Sequence, residues 1–302
     1  MEKRQIGSLS VSVVGLGCNN FGRRIDAAQS ATVINAALEK GINFLDTADI
    51  YGNGQSEDFI RQALGSRRKD VIIASKFGNL MEGQGRGAHP DYIRTAVETS
   101  LQRLGTDYID LYQLHVPDPD VPIADTLGAL NELVQVGKVR EIGSSNFSAE
   151  QIRDSEAAVK AGAARFVSVQ NEYSLLKREA ENGVLAACAE LGIGFLPYFP
   201  LASGLLTGKY RQGQPSPEGT RLSGNATWLS EQNLATVEKL ISFAEAKGHT
   251  ILELAFGWLL AKPVVTSVIA GATRVEQIEA NAAAASWTLS EAELAEIDQL
   301  LA

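Results

Sequence analysis

The sequence predicts an α/β protein, a closed (β/α)8 TIM barrel with an N-terminal β-hairpin and extra helices. Short apolar runs alternate with amphipathic helical stretches about eight times, and the runs read as parallel strands buried on both faces. The chain's 302 residues match the length that such strand-helix units need to close a barrel.

Ahead of the first unit, Gln5 to Ser12 alternates around a Gly-Ser turn and reads as a hairpin able to plug the barrel's base. The strands are expected at Val13 to Gly17, Asn43 to Leu45, Val71 to Ala74, Ile109 to Leu114, Val139 to Ser144, Val167 to Gln170, Gly194 to Leu196 and Val265 to Ile269. Of the helices between them, Pro90 to Leu104 is the best marked, with Pro90 and Asp91 suiting its start and Gly105 its end. Phe77 to His89 and Ser203 to Thr227 break the rhythm; both follow a strand and are expected as loops on the catalytic face. Ser230 to Lys247 and Ser290 to Leu300 read as helices additional to the eight units. No linker interrupts the pattern, so residues 1–302 are expected to form a single barrel domain.

An open doubly wound sheet is the alternative. It usually carries a Gly-rich first turn, and the glycines of Gly15-Leu16-Gly17-Cys18-Asn19-Asn20-Phe21-Gly22 are at the wrong spacing for that dinucleotide fingerprint.

Composition narrows the function. The net charge of -9 and pI near 5.0 argue against nucleic acid or an anionic membrane as partner, since either favours a basic face. The two cysteines, Cys18 and Cys188, lie far apart, and no Cys/His spacing suits a structural zinc site, so a reducing compartment and no metal are expected. Met1 to Gln5 leads into no long apolar segment, and a cytoplasmic protein is expected. Monomer and homo-oligomer both fit.

Four residue types able to run one proton transfer each end an apolar run. A free tyrosine has a pKa of about 10 and donates poorly at neutral pH unless its phenolate is stabilised. A nearby ammonium does that; a carboxylate keeps the ammonium charged when desolvated, and an imidazole orients the substrate oxygen. Tyr51, Lys76, Asp46 and His115 fill those roles, with Tyr51 and Asp46 in the stretch Asp46-Thr47-Ala48-Asp49-Ile50-Tyr51-Gly52. Taken singly, each has a plainer reading as turn anchor, solvated charge or cap. Of the three histidines only His115 ends an expected barrel strand; His89 and His249 suit loop or helix-start positions.

Several stretches in order then carry a resemblance over essentially the whole chain: Asp46 to Gly52 with Gly54-Gln55-Ser56-Glu57, Leu111 to His115, Gly137 to Phe147, Val169 to Tyr173, Gly204 to Lys209 and Gly271 to Asn281. The chain resembles the aldo-keto reductases. That resemblance implies NADP(H), or NAD(H), bound in extended form at the strand C-terminal ends of a barrel without a Rossmann domain. It implies Tyr51 as general acid in carbonyl reduction, Lys76 lowering its pKa, Asp46 holding Lys76, and His115 orienting the substrate.

For the cofactor, the resemblance points to Gly17, Cys18 and Asn19 after the first barrel strand, to Asp46, and to Ser145, Asn146 and Gln170 at the carboxamide. Tyr198 serves as the ring platform, with Phe199 and Pro200 beside it. Leu201, Ser203, Leu205 and Lys209 are expected at the pyrophosphate, and Gly271, Thr273, Arg274, Gln277 and Asn281 near the adenosine 2'-phosphate, with Arg221 closing over them. Asn20, Phe21, Tyr51 and His115 are the expected substrate contacts, for a small-molecule carbonyl or alcohol. The chain departs from the family pattern at Phe199, where a serine is common, at Ala270 and Ala280, and at Cys18-Asn19, where Cys18 also reads as a small packing residue. Oxidation of a sugar or alcohol is an alternative reading. A cofactor-sensing subunit of a protein partner is another; it would need an extended partner surface that the sequence does not display.

Overall fold

The computed structural model describes residues 1–80, 86–218, 220, 222 and 227–301. An antiparallel hairpin of β1 (Lys3–Ile6) and β2 (Leu9–Ser12) precedes the barrel strands. These are β3 (Val14–Gly17), β4 (Phe44–Asp46), β5 (Ile72–Phe77), β6 (Ile109–Leu114), β7 (Val139–Ser145), β8 (Phe166–Glu172), β9 (Gly194–Tyr198) and β10 (Val268–Gly271). All pair in parallel, and β10 returns to β3 to close the barrel in the order β10-β3-β4-β5-β6-β7-β8-β9. Closure leaves no barrel edge, so each strand satisfies its backbone against two neighbours.

Helices α1 (Ala27–Glu39), α2 (Gln55–Leu64), α3 (Pro90–Leu104), α4 (Ile123–Gln135), α5 (Ala149–Ala157), α6 (Val184–Leu191), α8 (Ile251–Leu260) and α9 (Val275–Ala284) form the outer ring. Their starts follow local chemistry: Asp26 accepts from Gln29 N, and Ser148 and Thr250 each form a capping box. Gly105 ends α3 in the left-handed conformation, as its position predicts. The two additional helices are α7 (Glu231–Ala246) and α10 (Glu291–Leu301), which pack on each other. The segment after β9 is not wholly irregular, since short 3-10 turns, kinked at Ser203 and Gly204, run over Ala202–Thr207.

The hairpin is the barrel's stopper. Ile6, Leu9 and Val11 are buried among Phe44, Ala74, Leu111, Leu196 and Ile269, side chains drawn from five of the barrel strands. Glu141 accepts from Ser8 N at 2.7 Å, and the Arg4 guanidinium reaches the carbonyls of Val265 and Leu260. Each such fully buried aliphatic side chain contributes about 1.5–3 kcal/mol relative to exposure. Toward the strand C-termini the interior turns polar, with Asp46, Lys76, Gln113, Ser145 and Gln170 all buried. No described helix is long and apolar enough to cross a membrane.

Candidate active site

The polar end of the barrel is organised around Asp46 at the end of β4. Its Oδ2 accepts from Lys76 Nζ at 2.7 Å, and Lys76 also donates to Thr47 O at 2.8 Å. On the other oxygen, Asp46 Oδ1 accepts from Gln170 Nε2 at 2.8 Å and, more weakly, from Gln113 Nε2 at 3.5 Å. Strands β4, β5 and β6 are neighbours, which brings Asp46, Lys76 and His115 together from residues far apart in the chain.

Tyr51 is delivered by the turn after β4. Gly52, Asn53 and Gly54 are all left-handed there, and a Cβ on Gly52 would meet Phe21 O at 2.7 Å. Glycine is therefore required beside Tyr51, both for its φ of 58° and for the close approach of the neighbouring loop. Lys76 Nζ lies 5.2 Å from the centre of the Tyr51 ring, and the Tyr51 and His115 rings meet edge to face at 6.0 Å.

The electrostatics of the group follow from its burial. Burial works against a charged Lys76, yet the Asp46 carboxylate acts the other way and the net shift is upward, so the ammonium persists. Burial pushes Tyr51 above its usual value, and the Lys76 charge opposes this without reversing it. Lys76 thus acts on Tyr51 in the expected downward direction, but burial outweighs it and the desolvated phenol beside Asp46 stays protonated. His115 is pushed down to about 3 by burial and then by the Lys76 charge, and its imidazole is neutral. Its buried Nδ1 has no hydrogen-bond partner among the described residues.

Comparison with known proteins agrees with this geometry. The model of the aldo/keto reductase family matches residues 13–302. The chain belongs to the aldo/keto reductase family. Its members are NAD(P)H-dependent oxidoreductases that act on carbonyl compounds. The chain is 36% identical to the aldo-keto reductase yakc [NADP(+)] of Schizosaccharomyces pombe, covering 97% of this chain and 89% of that one. It is 33% identical to a probable voltage-gated potassium channel subunit beta of Arabidopsis thaliana, covering 93% and 90%. Among solved structures, the glycerol dehydrogenase AKR11B4 from Gluconobacter oxydans superposes with a TM-score of 0.87 at 29% identity, covering 99% and 95%.

Around the central group, this aldo/keto reductase joins Ser145, Asn146 and Tyr198 in one chain of hydrogen bonds. Tyr198 OH donates to Asn146 Oδ1 at 2.8 Å, and Asn146 Nδ2 donates to Ser145 Oγ and to His115 O. Asn146 holds a left-handed φ of 62°, a conformation asparagine tolerates better than most side chains. Phe199 meets the Tyr198 ring edge-on at 5.3 Å, and Pro200 is buried. In the next turn Ser203 and Gly204 are left-handed, and a Cβ on Gly204 would come 3.1 Å from Lys209 Nζ. The exposed Lys209 ammonium thus lies against this backbone, while Leu201 is half-buried and the Leu205 side chain is fully buried.

At the start of α9, Arg274 is exposed and sits 3.7 Å from Glu276. Gln277 accepts from Thr273 N at 2.8 Å, Asn281 is buried one turn further on, and Gly271 is exposed at the end of β10. Arg221 lies outside the described residues.

Around the end of β3 the small-residue packing expected of Cys18 is found, and only Phe21 departs from its expected place. Gly17 is buried against Ile269, and Cys18 is fully buried, its N–H on Asp46 O and its carbonyl accepting from Ser56. Phe21, expected against the substrate, is fully buried in the main apolar core, so its backbone rather than its ring borders Gly52. Asn19 and Asn20 turn their amides toward Gly271, and Asn20 is nearly buried.

Sequence reasoning also passed over residues that matter here. Gln113 on β6 lies two residues before His115, which directly follows the strand, and alternation carried one residue past the strand end would have placed both on the inner face. Asp49 and Glu57 are two buried carboxylates close enough for Glu57 to act on Asp49 electrostatically. Glu57 accepts from Ser75 Oγ at 2.6 Å and faces Arg103, and Asp49 N donates to Lys76 O.

Proposed function

We propose that the protein reduces small aldehydes or ketones to alcohols at the expense of NADPH, with Tyr51 as general acid. The observation that carries this is the convergence of a protonated Tyr51, a charged Lys76 paired with Asp46, and a neutral His115 at one end of the barrel.

The residues present fit a nicotinamide dinucleotide. The Lys209 ammonium against the left-handed turn at Gly204 suits a pyrophosphate, and Arg274 at the start of α9 suits the 2'-phosphate, where helix polarity favours an anion. Tyr198, held by Asn146 and Phe199, offers a fixed aromatic face, and Ser145, Asn146 and Gln170 offer amide and hydroxyl groups to the carboxamide. When bound, the cofactor supplies the hydride. Tyr51 donates the proton to the carbonyl oxygen, Lys76 stabilises the phenolate left behind, and Asp46 keeps Lys76 charged. A neutral His115 donates a hydrogen bond to the same oxygen and orients it.

The oxidative direction is the second reading, favoured by the likeness to the glycerol dehydrogenase AKR11B4. The buried free thiols Cys18 and Cys188 suit a reducing, cytoplasmic setting. The experiment is to follow cofactor absorbance with NADPH and a panel of aldehydes, and with NADP+ and a panel of alcohols. Turnover in the first arm supports the proposal, turnover confined to the second supports oxidation, and cofactor binding without turnover in either overturns both.

A further inference from the structure

Three arginines stand apart from the rest. Every other described arginine faces a carboxylate or donates to an amide or carbonyl oxygen. Arg23, Arg24 and Arg86 are exposed, and none has such a partner among the described residues. All three lie beyond the C-terminal ends of barrel strands. Arg23 and Arg24 follow β3, Arg86 follows β5, and these strands are the two neighbours of β4, the strand that leads to Tyr51.

The backbone under each is fixed. The amides of Arg23, Arg24 and Ile25 all donate to Asn20 O, which winds this loop into a tight turn, and Gly22 rests against Gly52 next to Tyr51. On the other side, Gly87 N donates to Gly78 O at 2.9 Å and Ala88 N to Asp118 Oδ2 at 2.8 Å, anchoring the residue that precedes them. The nearby Asp118 is engaged with backbone amides of Ala88 and Asp120. In a chain of net charge -9, unpaired guanidinium groups are thus concentrated on both sides of the one strand end that carries the proton donor.

We infer that the substrate is an anionic carbonyl compound, bearing a carboxylate or phosphate away from its reacting carbon, and that Arg23, Arg24 and Arg86 receive that group. Guanidinium forks match both anions bidentately, and their combined field raises the local concentration of such a substrate. The inference rests on the carbonyl reduction proposed above.

The test is steady-state reduction by the intact protein of two matched pairs, 4-carboxybenzaldehyde with its methyl ester and glyceraldehyde 3-phosphate with glyceraldehyde. We expect kcat/KM for the charged member to exceed that of the neutral one by about tenfold or more, the scale of one charge-assisted hydrogen bond. The preference should collapse in the triple variant Arg23→Gln, Arg24→Gln, Arg86→Gln and in added salt. Preference within only one pair names that anion as the ligand. No preference in either pair overturns the inference, and so does an equal loss for charged and neutral members in the triple variant. Failure to reduce any of the four sinks the carbonyl-reduction reading itself, and the arginine assignment with it.

Discussion

Gln170 Nε2 donates to Asp46 Oδ1 at 2.8 Å, fastening a β8 side chain to the carboxylate whose other oxygen holds Lys76. The amide N–H used in this bond is not free for a ligand, so Gln170 supports the Lys76 pair as well as facing the site. We expect Gln170→Leu to lower kcat by about ten- to a hundredfold, since a hydrogen bond to a charged group is worth about 1.5–3 kcal/mol. Kinetics and cofactor titration together check this. Weakened cofactor binding at normal kcat would assign Gln170 to the carboxamide alone.

Tyr51→Phe keeps the ring against His115 and removes the proton. Nucleotide affinity should be retained while kcat falls by about 10²–10⁴, the usual worth of a positioned general acid. Fluorescence titration alongside turnover reads both quantities, and reduction at the parent rate would exclude Tyr51 as the acid.

The carboxylates behind the site set a pH dependence of stability. Asp49 is pushed up to about 7 by burial first and then by Glu57, with Arg103 and Lys76 acting the other way. A carboxyl raised in the folded state binds more protons there than in the unfolded chain. Its effect is therefore a loss of stability as pH rises from about 3.8 to about 7. His115 has the opposite sign: held neutral, it costs stability as pH falls from about 6.5 toward about 3. Asp49→Asn removes the first component only. Its melting temperature relative to the parent should rise between pH 5 and pH 8, corresponding to a gain on the order of a few kcal/mol. A difference that does not move with pH would rule out an ionising Asp49.

The barrel was legible because its strands are apolar runs whose ends fall where polar residues begin, and the hairpin because only Ile6, Leu9 and Val11 of it are apolar enough to turn inward. The positions of Asp46, Lys76, Tyr51 and His115 followed from strand ends. What stayed hidden depends on tertiary geometry. Phe21 sits in a polar, glycine-rich loop, and nothing local tells that its ring folds into the core. Gln113 and Gln170 meet at Asp46 only because the barrel curves β6 and β8 toward β4. The direction of the Tyr51 shift is a balance between burial and the Lys76 charge, and burial cannot be read from residue order.

The plug predicts where stability resides. Ile6 has no exposed surface and fills the barrel floor beside Phe44 and Leu196, away from Tyr51. Ile6→Ala should destabilise the protein by about 2–5 kcal/mol through lost burial and the cavity left behind. Denaturant unfolding measures it, and a loss well under 1 kcal/mol would mean that the hairpin does not seal the barrel.

Cofactor preference turns on the start of α9. Arg274 is exposed, and its one carboxylate neighbour among the described residues, Glu276, is 3.7 Å away and itself exposed, so little holds the guanidinium back from a dianion. A 2'-phosphate there would gain both the guanidinium and the helix N-terminus, whereas a ribose hydroxyl would gain neither charge interaction. Arg274→Ala should accordingly raise the Kd for NADPH about tenfold and leave that for NADH nearly unchanged, as read by intrinsic fluorescence titration. Equal weakening of both would move the 2'-phosphate away from Arg274 and make the Lys209 ammonium, beside Gly204, the next residue to replace.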